Sequence, residues 1–283
     1  MATILDGKAF AAECKENIRA EVQRLTEKGC RPGLAVVLVG NNPASQVYVR
    51  NKENDCKECG IYSAMYTLPE DTAEADLLEL LDTLNHDDSV HGILVQLPVP
   101  DQIDAQKVIE AIDPIKDVDC FHPMNVGYLT QGMARFAPCT PAGIVRLMAR
   151  YGIDPKGKCC VVIGRSNIVG KPMSLLLLQG NGTVTICHSG TADLKAETLR
   201  ADVLVSAVGK PGFVTADMVK EGAVVIDVAM NRNEQGKLCG DVDYPAVSEK
   251  ASAITPVPGG VGPMTRIMLL ENTLTACRLQ TGL

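Results

Sequence analysis

Residues 161–174 read VVIGRSNIVGKPMS. An apolar run that stops at Gly164, a short polar stretch and a second glycine before renewed apolar residues describe a buried strand, a turn, and a helix beginning near Val169 and Gly170. Glycine at such a turn lets the backbone amides of a helix N-terminus approach a phosphate. The spacing, G-x-x-x-x-x-G, departs from the G-x-G-x-x-G of dinucleotide sites, so alone it fits a ligand-free connection equally well.

Working outward, TVTIC (183–187), VLVSAV (203–208) and AVVIDV (223–228) follow as further strands separated by helical or loop segments. A dinucleotide domain specific for NAD places a carboxylate at the end of its second strand. Here TVTIC runs into Cys187, His188 and Ser189. With Arg165 in the glycine turn, guanidinium, hydroxyl and imidazole groups can converge on a 2′-phosphate, which favours NADP over NAD. PVPGGVGP (256–263) crowds glycines and prolines into a segment that suits neither helix nor central strand. Its bare backbone fits contact with a flat ring, or a hinge.

Upstream of PCTPAGIVRLMARYG, read as a linking helix with Thr140 as cap and Pro141 at its first position, the same alternation occurs. LAVVLVG (34–40), YSAMYTL (62–68) and GILVQLP (92–98) are strands; AEADLLELLDTL (73–84) and AQKVIEAI (105–112) are helices. Phe10, Cys14, Ile18, Val22 and Leu25 mark an amphipathic first helix, and Ile267, Leu270, Leu274 and Cys277 a last one. The expected fold is α/β with two domains. An N-terminal parallel-sheet domain spans 1–138, completed by 266–283, and a Rossmann-type domain spans 139–265, with a cleft between them.

Composition narrows the function. With 46% hydrophobic and 22% charged residues the chain is an ordinary globular protein. A net charge of -7 argues against nucleic acid or an anionic membrane as partner. No run of about 18 apolar residues appears and the N-terminus lacks a signal pattern, so a cytoplasmic location is expected. Eleven scattered cysteines fit reduced thiols. Cys56 and Cys59 form a C-x-x-C without a second pair at ligand spacing, so no metal is expected.

ASQVYVRNKENDCK (44–57) reads as a helix with Ser45 near its start, which places Tyr48 one turn before Lys52 on one face. Ligands of parallel sheets bind beyond the carboxyl ends of the strands, where Gln96 ends GILVQ and the Lys52 helix begins. Asp119 in the irregular PIKDVDCFHPMNVG is a third polar group for that region. Singly, each also fits a capping or surface role.

Together with YVRNK (48–52), VQLPVP (95–100), PIKDVD (114–119), HPMNVG (122–127), PCTP (138–141), GRSNIVGKP (164–172) and PVPGGVGPMT (256–265), these residues resemble the bifunctional methylenetetrahydrofolate dehydrogenase/cyclohydrolase family over nearly the whole chain. The resemblance implies NADP-dependent oxidation of 5,10-methylenetetrahydrofolate to the methenyl cation, hydrolysis to 10-formyltetrahydrofolate, and a homodimer. It implies that Lys52 serves hydrolysis, that Tyr48 orients it and stacks by the folate, that Gln96 bonds the lysine and that Asp119 grips the pterin. Leu97, Pro98, Pro258 and Gly259 would line the substrate site. Gly164, Arg165, Ser166, Val169, Gly170, His188, Ser189 and Thr140 would hold the cofactor. A lysine amine at its ordinary pKa of about 10.4 is a poor base, and burial beside a cationic substrate favours the neutral form, so general-base and hydrogen-bonding roles both stay open. Cys120 and Ala229 stand where the family usually has glycine. The competing readings are a shikimate- or malic-type dehydrogenase and a nucleotide-binding module without turnover.

Overall fold

The computed structural model describes residues 2–283. Its strands are β1 (Thr3–Ile4), β2 (Gly33–Val39), β3 (Tyr62–Leu68), β4 (Gly92–Val95), β5 (Cys159–Ile163), β6 (Thr183–Cys187), β7 (Val203–Ser206), β8 (Val224–Asp227), β9 (Asn231–Arg232), β10 (Leu238–Cys239) and β11 (Ala253–Ile254). The α-helices are α1 (Gly7–Glu27), α2 (Pro43–Cys59), α3 (Glu74–Asn85), α4 (Ala105–Ala111), α5 (Pro123–Thr130), α6 (Cys139–Arg150), α7 (Gly170–Gln179), α8 (Leu194–Thr198), α9 (Tyr244–Lys250) and α10 (Val261–Thr281).

The chain forms two compact units. Unit 1 joins the N-terminal residues through Ala12 to Thr140–Met268; unit 2 joins Glu13–Cys139 to Leu269–Leu283. Residues up to Ala12 thus lie with the later sheet and not with the first domain to which the sequence reading assigns them. Two contacts account for this. β1 adds in parallel to β11 at the sheet edge. Gly7 packs so closely on the 259–260 turn that a Cβ there would stand 1.8 Å from the Gly260 carbonyl oxygen, and Lys8 N donates to Gly259 O at 2.8 Å.

Unit 2 is built on a parallel sheet of order β3-β2-β4. β2 is buried at every position, as a central strand covered on both faces must be. Leu77, Leu81 and Leu84, at helical spacing on α3, are fully buried against Ala35, Val37, Val39, Ile93 and Val95. Each such leucine contributes about 1.5–3 kcal/mol of burial.

Unit 1 has a six-stranded parallel sheet of order β1-β11-β8-β7-β5-β6, with β9 and β10 as a separate antiparallel pair. In both units the first strand of the series sits between the second and the third. The chain therefore reverses direction beside β5 in unit 1 and beside β2 in unit 2, and such reversals open a crevice at the strands' carboxyl ends.

Three helix starts differ from the sequence reading. At α2 the cap is Asn42, whose Oδ1 accepts from Ser45 N at 3.3 Å, while Ser45 itself is buried. Thr140 lies inside the first turn of α6 and shares a 3.0 Å hydroxyl contact with Thr265. α10 begins at Val261, so the end of PVPGGVGP enters the helix with Pro263 in its first turn, where a missing N–H costs nothing.

Candidate active site

In unit 2, α2 leaves the carboxyl end of β2 and carries Tyr48 and Lys52 one turn apart. Gln96 directly follows β4, and its backbone N donates to Val37 O at 2.8 Å, which extends the sheet contact to the residue that bears the amide. Lys52 Nζ donates to Gln96 Oε1 at 3.1 Å. Gln96 Nε2 donates to Leu97 O at 2.7 Å, which fixes the carboxamide with its oxygen toward the lysine. The Leu97–Pro98 peptide is cis. Lys52 and Gln96 are half-buried, and Tyr48 is exposed.

Asp119 lies on a loop that its neighbours clamp. Asp117, fully buried, accepts from Phe121 N at 3.2 Å, His122 N at 2.8 Å and Asn125 Nδ2 at 2.8 Å. Lys116 donates to the Leu84 and Asp87 carbonyls at 3.0 and 2.8 Å. Asp119 itself, with Leu97 and Phe121, lines a small hollow beside β4. Burial raises its pKa, partly offset by the charge of Lys52 and a hydrogen bond with the Cys139 thiol. Asn272 Nδ2 on α10 donates to Val118 O at 2.8 Å and Ala137 O at 2.9 Å and so braces this loop. Cys120 has a φ of 62°, a left-handed conformation that costs an L residue about 1–2 kcal/mol and that a glycine would adopt freely.

In unit 1 the glycine turn sits at the reversal between β5 and β7. Gly164 has φ 125°, and a Cβ there would stand 2.6 Å from the Ala207 carbonyl oxygen. At Gly170 a Cβ would stand 2.2 Å from the Gly164 carbonyl oxygen. The turn is thus bare backbone folded on itself at the start of α7. Val169 N and Gly170 N donate to Ser166 Oγ at 3.2 and 3.3 Å, which leaves the Ser166 O–H as an outward donor. Arg165 and Ser166 are exposed on the turn. Gly164 N donates to Cys187 O at 2.9 Å, and His188 and Ser189 follow directly. His188 Nδ1 accepts from Gly190 N at 3.0 Å, so in the neutral ring Nε2 carries the hydrogen. Bare backbone, a helix N-terminus, a guanidinium and a hydroxyl are the groups a phosphorylated dinucleotide needs. The residues present fit it.

Elsewhere in unit 1, the Val257–Pro258 peptide is cis and Gly259 has φ 109°, and Thr140 is taken up by Thr265. Sequence reading missed a carboxylate. Asp241, fully buried, accepts from Ser206 Oγ at 3.0 Å, Val208 N at 2.7 Å, Gly209 N at 3.2 Å, Lys210 N at 2.7 Å and Asn231 Nδ2 at 3.0 Å. It shapes the loop after β7, whose Ala207 presses on Gly164. Beside it Asp227 accepts from Asp241 N at 3.0 Å and Val242 N at 2.9 Å, and burial pushes its pKa up to about 6. The signal in the sequence is GDVDY, a carboxylate between a glycine and a valine.

These features define an α/β enzyme with a dinucleotide-type turn in one unit and a lysine, carboxamide and carboxylate cluster in the other. Residues 5–119 match the catalytic domain, and residues 138–281 the NAD(P)-binding domain, of the tetrahydrofolate dehydrogenase/cyclohydrolase family, to which the chain belongs. The bifunctional protein FolD of Moorella thermoacetica is 60% identical over 277 residues, covering 98% of this chain and 99% of that protein. The crystal structure of the bifunctional enzyme FolD, methylenetetrahydrofolate dehydrogenase/cyclohydrolase, from Campylobacter jejuni has a TM-score of 0.97 at 53% identity, covering 99% of this chain and 100% of that one. The Trypanosoma brucei enzyme complexed with NADP cofactor and inhibitor has a TM-score of 0.94 at 38% identity, covering 99% and 98%.

Proposed function

We propose that the protein oxidises 5,10-methylenetetrahydrofolate to the 5,10-methenyl cation with NADP and hydrolyses that cation to 10-formyltetrahydrofolate. The observation that carries this is the Lys52–Gln96 bond of 3.1 Å beside the half-buried Asp119, in a chain of this family. An ammonium has three N–H donors, of which Gln96 takes one, so Lys52 keeps donors to engage the substrate and the water that attacks the methenyl carbon. Gln96, itself tied to Leu97 O, positions Nζ. Asp119 receives the pterin's N–H groups, and Tyr48 offers a ring face one turn from Lys52. When bound, NADP accepts the hydride, while the substrate's nitrogen lone pairs stabilise the cation left behind. Oxidation then asks mainly for positioning. Leu97 and Pro98 line the folate in this reading. Mixing the protein with methylenetetrahydrofolate and each nicotinamide cofactor, and following both nicotinamide reduction and the formyl product, tests it. Absence of nicotinamide reduction with NADP would refute it.

The turn residues Gly164, Arg165, Ser166, Val169 and Gly170, with His188, Ser189 and Thr140, form the cofactor site of this proposal. Arg165 and Ser166 bond the 2′-phosphate, with His188 Nε2–H beside them. Arg165→Ala should raise the KM for NADP roughly 10- to 100-fold, the worth of one charge-assisted contact, and move the KM for NAD little. Equal losses for both cofactors would remove Arg165 from phosphate recognition.

A homodimer in the cytoplasm belongs to the same proposal. It is supported by the family and by Ile186, an apolar residue 40% exposed on the edge strand β6. The eleven free cysteines suit a reducing compartment. No helix among the described residues is long and apolar enough to cross a membrane. Light scattering should give twice the chain mass of 30.2 kDa.

A further inference from the structure

Three side chains of unit 2 outside the site above converge although they are 61 and 247 residues apart in sequence. Cys30 Sγ lies 3.3 Å from His91 Nε2 and 3.1 Å from Cys277 Sγ. Cys30, on the loop after α1, is half-buried; His91 and Cys277, the latter on α10, are buried. The ligand-type atoms fall within 4.8 Å of one another, a spacing that also suits a soft metal ion. The imidazole decides between the two uses. His91 Nδ1 accepts from Gly33 N at 3.1 Å, and burial, with the nearby Lys116, lowers the ring's pKa and keeps it neutral. A neutral ring that accepts at Nδ1 carries its hydrogen at Nε2, so no lone pair faces the sulfurs there. Metal-binding histidines do the reverse, with Nδ1–H donated to an oxygen. What Nε2–H does offer is a hydrogen bond to Cys30 Sγ, which holds that sulfur beside Cys277.

We propose that Cys30 and Cys277 are an oxidisable dithiol, a modification site at which a low-molecular-weight disulfide converts the pair to an intramolecular disulfide. The thiolate of the half-buried Cys30 attacks one sulfur of the reagent RSSR, forming Cys30–S–S–R and releasing RS⁻. The Cys277 sulfur then attacks Cys30 Sγ, the mixed disulfide breaks, and a second RS⁻ leaves. The two thiols lose two electrons and two protons, and RSSR ends as two RSH. Closure from 3.1 Å to a bond of about 2.05 Å needs a movement of about 1 Å. Cys277 is buried whereas Cys30 is half-buried, so Cys30 is the first nucleophile; burial and the adjacent Cys30 also push the Cys277 pKa up to about 12. The product would fasten the second half of α10, which holds the Asp119 loop through Asn272, to the loop after α1.

The test is incubation of the whole protein with oxidised glutathione, followed by thiol counting after denaturation and by peptide mapping without reductant. The expected result is loss of two of the eleven thiols, a mass about 2 Da lower, a cross-linked pair of peptides holding residues 30 and 277, and full reversal by dithiothreitol. Cys30→Ser should abolish the reaction. Cys277→Ser should halt it at a glutathione adduct on residue 30, about 305 Da heavier. That adduct needs only an accessible Cys30, so it reports a folded protein. A stable adduct on Cys30 in the unaltered protein, with Cys277 still open to alkylation on denaturation, would overturn the proposal. So would a bond between other cysteines, or one zinc ion per chain retained through dialysis and lost in Cys30→Ser.

Discussion

Lys52→Met is expected to lower methenyltetrahydrofolate hydrolysis by about 10²- to 10⁴-fold, the range spanned by loss of one positioned proton-transfer group, while the protein stays folded. The side chains match in length, and methionine fills the same half-buried space, but the bond to Gln96 Oε1 and every N–H donor disappear. Lys52→Arg separates the two chemistries open to the amine. Guanidinium keeps charge and donors but does not give up a proton near neutral pH. Hydrolysis that stays lost in Lys52→Arg points to proton transfer; recovery points to hydrogen bonding. A methionine variant with undiminished hydrolysis would refute the assignment. Dehydrogenase activity, measured on the same preparation, has a different dependence: it requires orientation of the folate more than a proton acceptor.

The second large effect is on stability. Asp241→Ala should lower the unfolding free energy by about 3–5 kcal/mol, because its removal strands the buried Ser206 hydroxyl and the half-buried Val208 amide, which each cost about 1–3 kcal/mol when unpaired. Ser206 Oγ and Val208 N lose their acceptor outright, and Gly209 and Lys210 lose the contact that turns the loop. Urea unfolding measures it. Against a typical total of about 5–15 kcal/mol, the shift in midpoint is large. Asp241→Asn should fall between, since one oxygen persists while an NH₂ is set against backbone N–H groups. An unchanged midpoint for alanine would mean that water replaces the carboxylate without loss.

Much of the fold and of the site is legible in the sequence. The sheets are, because β2 and β5 are apolar runs with glycine or proline at their ends, and the alternation with helices allows few other arrangements. The meeting of Lys52 and Gln96 followed from the rule that parallel strands present ligand groups at their carboxyl ends. β1 was not legible: two residues carry no periodicity, and what recruits them is an edge formed by Ala253–Ile254. Nor was Asp241, whose partners are backbone amides that sequence does not display. The convergence of Cys30, His91 and Cys277 joins segments whose proximity only the tertiary fold creates. Asn42, and not Ser45, lies at the start of α2 because the helix already begins at Pro43 in a run where several polar residues were eligible.

The way the chain is divided sets an order of completion during synthesis. A polypeptide emerging from the ribosome delivers Glu13–Cys139 before Thr140–Met268, yet that unit lacks the Leu269–Leu283 segment, including Asn272, until those residues follow. Unit 1 has all its residues by Met268. The unit with most of its residues made early is therefore completed later, and a nascent chain stalled between Met268 and Leu283 would carry every residue of the dinucleotide-type unit while the other unit is still short of its last brace.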